Sequence, residues 1–206
     1  MKAKSTFRLF FEKVSAFKKD PINVAKLPLN DLLFIKFLEC VLSFKADSAH
    51  PDSHQSIISS NNRFAWDGDY AYFEMGCLTF SLLDRWLIDN YPAQREKILS
   101  SISYKLMALS AKAFAINNII AADILDRRLS FYARADDLKT VMTTLPGFID
   151  ADCFQNKLFS KNEIPLASNP TLLALGAEAF ANWMKAGYAD LLDYYAAALS
   201  DKSSSV

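Results

Sequence analysis

Histidine is almost missing from this sequence: His50 and His54 are the only two. Most histidine-dependent chemistry goes with it. A ferritin-like di-metal centre needs two Glu-x-x-His motifs, a zincin helix needs His-Glu-x-x-His, and neither pattern occurs. Glycine is scarce as well. Gly68, Gly76, Gly147, Gly176 and Gly187 stand too far apart for a dinucleotide fingerprint or a phosphate-cradling loop. No Gly-x-Ser-x-Gly nucleophile elbow is present. So little glycine also argues against a turn-dense all-β barrel.

Cysteine is odd in number and scattered. Cys40, Cys77 and Cys153 form no Cys-x-x-Cys pair, which fits a reducing compartment and excludes a disulfide scaffold. None has a basic neighbour in sequence, so each reads as an inert core thiol. Net charge is zero, so the molecule as a whole is no electrostatic partner for nucleic acid. The first 45 residues nevertheless carry more lysine and arginine than acid. A long uncharged apolar run is missing too. The greasiest stretch, 106–125, contains Lys112, Asn117, Asn118 and Asp123, which a membrane span does not normally carry. Arg8, Glu12 and Lys13 interrupt any secretory signal near the start. The expected location is cytoplasmic.

What the sequence does hold is apolar material, 51% of 206 residues, enough for a real core and too much for a disordered chain. Its period is helical nearly throughout. Phe7, Phe10, Phe11, Val14 and Phe17 make one stripe of an α-helix, with Ser5 or Thr6 as cap and Asp20-Pro21 as stop. A second helix starts after Asn30 or Asp31 and runs to about Ala46. It is apolar on nearly all sides, which places it in the middle of a bundle. A third runs from near Trp66 to Pro92, with Phe73, Cys77, Phe80, Leu83 and Leu87 on its core face. Pro92 suits the first turn of the next helix. From Ala93 to Leu145 neither Pro nor Gly occurs. One helix of that length is not expected in a globular domain, so breaks are placed near Ser110 or Asn117-Asn118 and at Ala135-Asp136. Asn169-Pro170 opens a later helix, Gly187 is read as its end, and a last helix carries Leu191, Leu192, Tyr195 and Leu199.

These readings predict an all-α fold: seven to nine helices in an antiparallel helical bundle or a short helical-hairpin array. A single all-helical domain over 1–206 is expected, with a polar loop at about 47–63, an irregular segment at about 146–169 and a frayed tail at 201–206. A faint internal rhyme links Leu83-Asp84-Arg85, Leu125-Asp126-Arg127 and Leu192-Asp193-Tyr194, which generic helix chemistry accounts for. Gly176 and Gly187 stand about one turn too far apart for a tetratricopeptide hairpin.

Two groups of residues have chemistry to offer. Asp47, His50, Asp52 and His54 combine carboxylate and imidazole within one loop, a set that suits zinc or another divalent metal. The same residues are ordinary turn formers, and the spacing matches no specific ligand signature. No other cofactor is implied. The N-terminal stripe, Phe7, Phe10, Phe11 and Phe17, lies on a basic helix that can pack on its own bundle, dock in a partner or lie on a membrane surface. Core packing is favoured over membrane contact. Asp67, Asp69 and Glu74 form an acidic group, read first as turn and helix cap. Arg127-Arg128-Leu129-Ser130 resembles a basic-directed kinase target by chance. No catalytic constellation assembles. The leading expectation is a non-catalytic interaction protein, an adaptor or assembly subunit binding another protein or itself through apolar helix faces. The alternative is a bundle that binds a small apolar ligand or a metal at the 47–54 loop.

Overall fold

The computed structural model describes residues 5–18, 27–44, 69–134 and 180–203. Among these residues all regular structure is helical, as the periodicity predicts. The elements are α1 (Thr6–Lys18), α2 (Leu29–Ser43), α3 (Asp69–Asn90), α4 (Pro92–Ala113), α5 (Asn118–Arg134), a π-helical turn (Met184–Tyr188) and α6 (Ala189–Ser203). The 47–63 loop, the 146–169 segment, the Ala135-Asp136 break and the Asn169-Pro170 helix start lie outside the described residues.

α3, α4 and α5 pack consecutively against one another. α2 lies across α3 and α4 and is covered by α1 on one side and by α6 with its π-turn on another. This central position explains its composition. Leu33, Phe34, Ile35, Phe37, Leu38, Cys40 and Val41 are all buried, and the narrow line of Lys36, Glu39 and Ser43 is left toward solvent. On α3 the expected stripe is also inside: Phe73, Cys77, Leu83 and Leu87 are buried and Phe80 is half-buried.

Local chemistry fixes the ends. Ser5 Oγ accepts from the Arg8 N–H at 3.1 Å, an N-cap on α1. A second orphan donor, the Phe7 N–H, is satisfied by Asp69 Oδ1 at 3.1 Å, so α3 caps α1 from across the fold. Pro92 occupies the first turn of α4. α4 ends in a Schellman turn: the Ile116 N–H bonds back to Ala111 O at 3.0 Å while Ala115 takes φ 53°. Asn117 Oδ1 then caps α5 by accepting from the Ile120 N–H at 2.9 Å. The chain therefore turns by 118° between α4 and α5. The greasy 106–125 stretch is the corner of a hairpin, as the Asn117-Asn118 break predicts. Among the described residues, no single helix is long and apolar enough to cross a membrane.

Gly187 does not end a helix. Residues 180–183 are helical, and the run continues through the π-turn into α6 as far as Ser203. α6 reaches Ser203, and the remainder of the 201–206 tail lies outside the described residues. A Cβ built on Gly187 falls 2.2 Å from Ser43 Oγ, so the turn passes close to α2 and a side chain there would have to displace the Ser43 hydroxyl. Two aromatic donors pin the same face of α2. Trp183 Nε1–H donates to Cys40 O at 2.8 Å and Tyr195 O–H to Leu33 O at 2.8 Å.

Candidate functional site: an apolar groove with a lysine rim

Three helices each present a short i, i+3/i+4 stripe to a common opening. α1 supplies Phe10, Lys13 and Val14, and α2 supplies Asp31, Phe34 and Ile35, with Leu27 just before it. α4 supplies Tyr104, Lys105, Ala108, Leu109 and Lys112. The result is a groove of about 570 Å³, open to solvent, with α2 as floor and α1 and α4 as walls. Tyr104 to Lys112 covers about 12 Å of helix axis.

Its rim holds apolar groups in water. Tyr104 is 68% exposed and Phe10 38%, and Leu9 beside it is 42% exposed. Phe10 meets Phe34 edge-on at 6.3 Å, and Phe34 stacks on buried Phe37 at 6.1 Å, so the wall is continuous with the core. The floor is fixed by charge. Lys105 Nζ lies 2.5 Å from Asp31 Oδ1 and 3.1 Å from Asn30 O, and 5.5 Å from the centre of the Phe34 ring. That clamp joins α4 to the first turn of α2.

The groove accounts for one member of the N-terminal phenylalanine stripe. Phe7 is fully buried against Tyr72 and Phe11 packs on the core, while the Phe17 side chain lies outside the described residues. Phe10 alone of the three described faces the opening. Asp47, His50, Asp52 and His54 lie outside the described residues, as does Cys153. Among the described residues, no group of three or more histidine, cysteine, aspartate or glutamate side chains could hold a metal. The acidic group separates into different roles: Asp69 caps α1, and Glu74 is buried between α3 and α5.

Glu74 is fully enclosed. Tyr132 O–H donates to its Oε2 at 3.0 Å, and Arg128 Nε lies 2.8 Å from its Oε1 with the N–H not aligned on that oxygen, a contact between charges. Burial raises the Glu74 carboxyl above the ordinary carboxylate range, against the opposing pull of Arg128 and Tyr132. The Arg128 of the kinase-like tetrapeptide is thereby committed to the interior. The contacts from Arg128 and Tyr132 on α5 to Glu74 on α3 join the two helices. A smaller opening of about 380 Å³, between the start of α2, the start of α4 and Leu199, has a mixed polar and apolar lining.

Cys40 and Cys77 are buried. Burial pushes the Cys40 thiol up to about 12 and the Cys77 thiol well above its ordinary value, so neither forms a nucleophilic thiolate near neutrality. Native protein treated with iodoacetamide at pH 8 is expected to stay unmodified at both positions by peptide mass spectrometry, and to react fully once denatured. Rapid native alkylation of Cys40 or Cys77 would contradict the packing described.

No protein-family model, no curated protein and no solved structure matches the chain. The groove must be judged on its own chemistry.

Proposed function

We propose that the protein is a non-catalytic binding module that takes the apolar face of a partner helix into the groove between α1, α2 and α4. The observation that carries this reading is the pairing of a solvent-open apolar trough with exposed aromatic rims at Phe10 and Tyr104. Exposed apolar surface of this kind is costly to leave in water and marks interaction sites. A trough about 12 Å long matches the reach of anchors at i, i+4 and i+7 of an α-helix. Its walls are themselves helices, so a guest helix would meet ridges and grooves of its own kind.

The test is fluorescence anisotropy with a labelled amphipathic peptide that bears leucine at i, i+4 and i+7 and neutral residues elsewhere. Saturable binding is expected. Ala108→Trp, which fills the trough from an exposed position, and Phe10→Asp should each weaken it by about tenfold or more, with the circular dichroism of the protein unchanged. Absence of binding, or binding indifferent to both substitutions, would remove the basis for the proposal. Self-association that Ala108→Trp abolishes would make a second copy of the chain the partner.

The same volume falls within the range of small-molecule sites, which gives a second reading: an apolar ligand in the same trough. Native mass spectrometry of the purified protein separates the two, because a bound lipid-like molecule would appear as a fixed mass increment.

A further inference from the structure

The charges around the trough are one-sided. Lys13 on α1 and Lys112 on α4 stand on opposite walls, and Lys105 precedes Lys112 on α4 by about two turns. The single carboxylate in the lining, Asp31, is already held by Lys105. Among the described residues, Lys13 and Lys112 have no carboxylate partner. Lys112 sits in the last turn of α4, where it complements the helix dipole. Lys13 has no such local reason for its place, being mid-helix on α1.

We propose that the partner helix is acidic: an amphipathic segment whose apolar anchors enter the trough while carboxylates on its two flanks meet Lys13 on one wall and Lys112 on the other. This rests on the groove reading above and adds the chemistry of the guest. The two cations flank the apolar strip, so a helix lying in the trough brings the residues on either side of its apolar face to them. A helix with lysine at those flanks would face like charge on both sides. Charge complementarity of this kind selects partners and accelerates encounter more than it adds affinity, so the effect is largest at low ionic strength and shrinks as salt screens it.

The probes are two synthetic peptides with the same leucine face, one with glutamate and one with lysine on both flanks, titrated beside the neutral peptide. At low salt the glutamate peptide is expected to bind about tenfold tighter than the lysine peptide, and the gap should close as sodium chloride is added. Lys13→Glu with Lys112→Glu, both surface changes, should invert the order of the two peptides. Equal affinity for the charged peptides, with the neutral one still bound and still sensitive to Ala108→Trp, overturns the acidic-partner inference and leaves the groove reading standing. Failure of all three peptides overturns both. Binding to phosphatidylserine vesicles through Lys13 and Lys112, with no binding of the glutamate peptide, also overturns it, because the anionic surface recognised would then be a membrane.

Discussion

Glu74→Leu is expected to cost the fold about 3–5 kcal/mol, read as a fall in the urea midpoint with an unchanged slope. The reason is the company it leaves. The Arg128 side chain is only 15% exposed, and its guanidinium would keep its charge with the matching carboxylate gone. Removing one member of a buried pair is far more damaging than removing both. Arg128→Met alone should also destabilise the fold, because the fully enclosed Glu74 carboxyl loses the opposing charge of Arg128 and must take up a proton, keeping the Tyr132 hydroxyl as its partner. The double variant Glu74→Leu, Arg128→Met should recover most of the loss and lie within about 1 kcal/mol of the wild type. Single and double costs that simply add would mean the two groups are not coupled as the 2.8 Å contact implies.

Acidity gives the same pair a second signature. Burial holds the native Glu74 carboxyl above its ordinary value of 4.5. In the unfolded chain that proton leaves near the ordinary value. Between 4.5 and the raised native value the native state thus binds more protons than the unfolded state, and the Glu74 contribution to stability falls as pH rises through that window. Above the raised value it is level. The double variant lacks this component, so its stability relative to wild type should climb from acid pH and then plateau. Parallel pH profiles would show that Glu74 titrates normally.

Much of the architecture was legible in the order of residues, and the reason is local. The Ser5 cap, Pro92 in a first turn and the Asn117 cap depend on side chains bonding backbone within a few positions. The central place of α2 could be read because a helix with only one narrow polar line, Lys36, Glu39 and Ser43, must bury nearly all of its surface. What could not be read depends on partners far apart in sequence. Asp69 and Glu74 look alike as neighbours in an acidic stretch, yet one caps a helix 62 residues away and the other is sealed against α5. Phe7 and Phe10 share a stripe, but the positions of α2 and α4 decide which is core and which lines an opening. The repeat-like segments diverge for the same reason. Arg85 reaches the Tyr132 and Ala133 carbonyls of α5, whereas Arg127 pairs with Asp123 on its own helix. The groove itself had no sequence signal beyond Phe10, since a trough is made by what three helices leave uncovered.

Gly187 is the sharpest case of a residue read correctly as special and assigned the wrong duty, and it yields the second large expected effect. A glycine that ended a helix would need a left-handed backbone, and alanine there would be strained. This glycine instead lies within a π-turn of a continuous helical run, with no positive φ. The constraint is the space above it. A Cβ would sit 2.2 Å from Ser43 Oγ, 3.3 Å from the Trp183 ring and 3.4 Å from Ser43 Cβ. For Gly187→Ala the hydroxyl can swing away, losing its 2.7 Å bond to Cys40 O. That loss of about 1 kcal/mol is roughly offset by the better helix propensity of alanine, so Gly187→Ala should be nearly neutral. Gly187→Val has no such escape. Its methyl groups would extend toward Ser43 Cβ and the indole, which is fixed by its bond to Cys40 O. Separating α2 from the turn should cost about 3 kcal/mol. Ser43→Gly, which removes both obstructing atoms of α2, should restore a large part of that in the Gly187→Val background while lowering the stability of the wild type. If Gly187→Val were as stable as Gly187→Ala, the close approach of the turn to α2 would be wrong. If Ser43→Gly gave no rescue, the obstruction would lie with Trp183 instead.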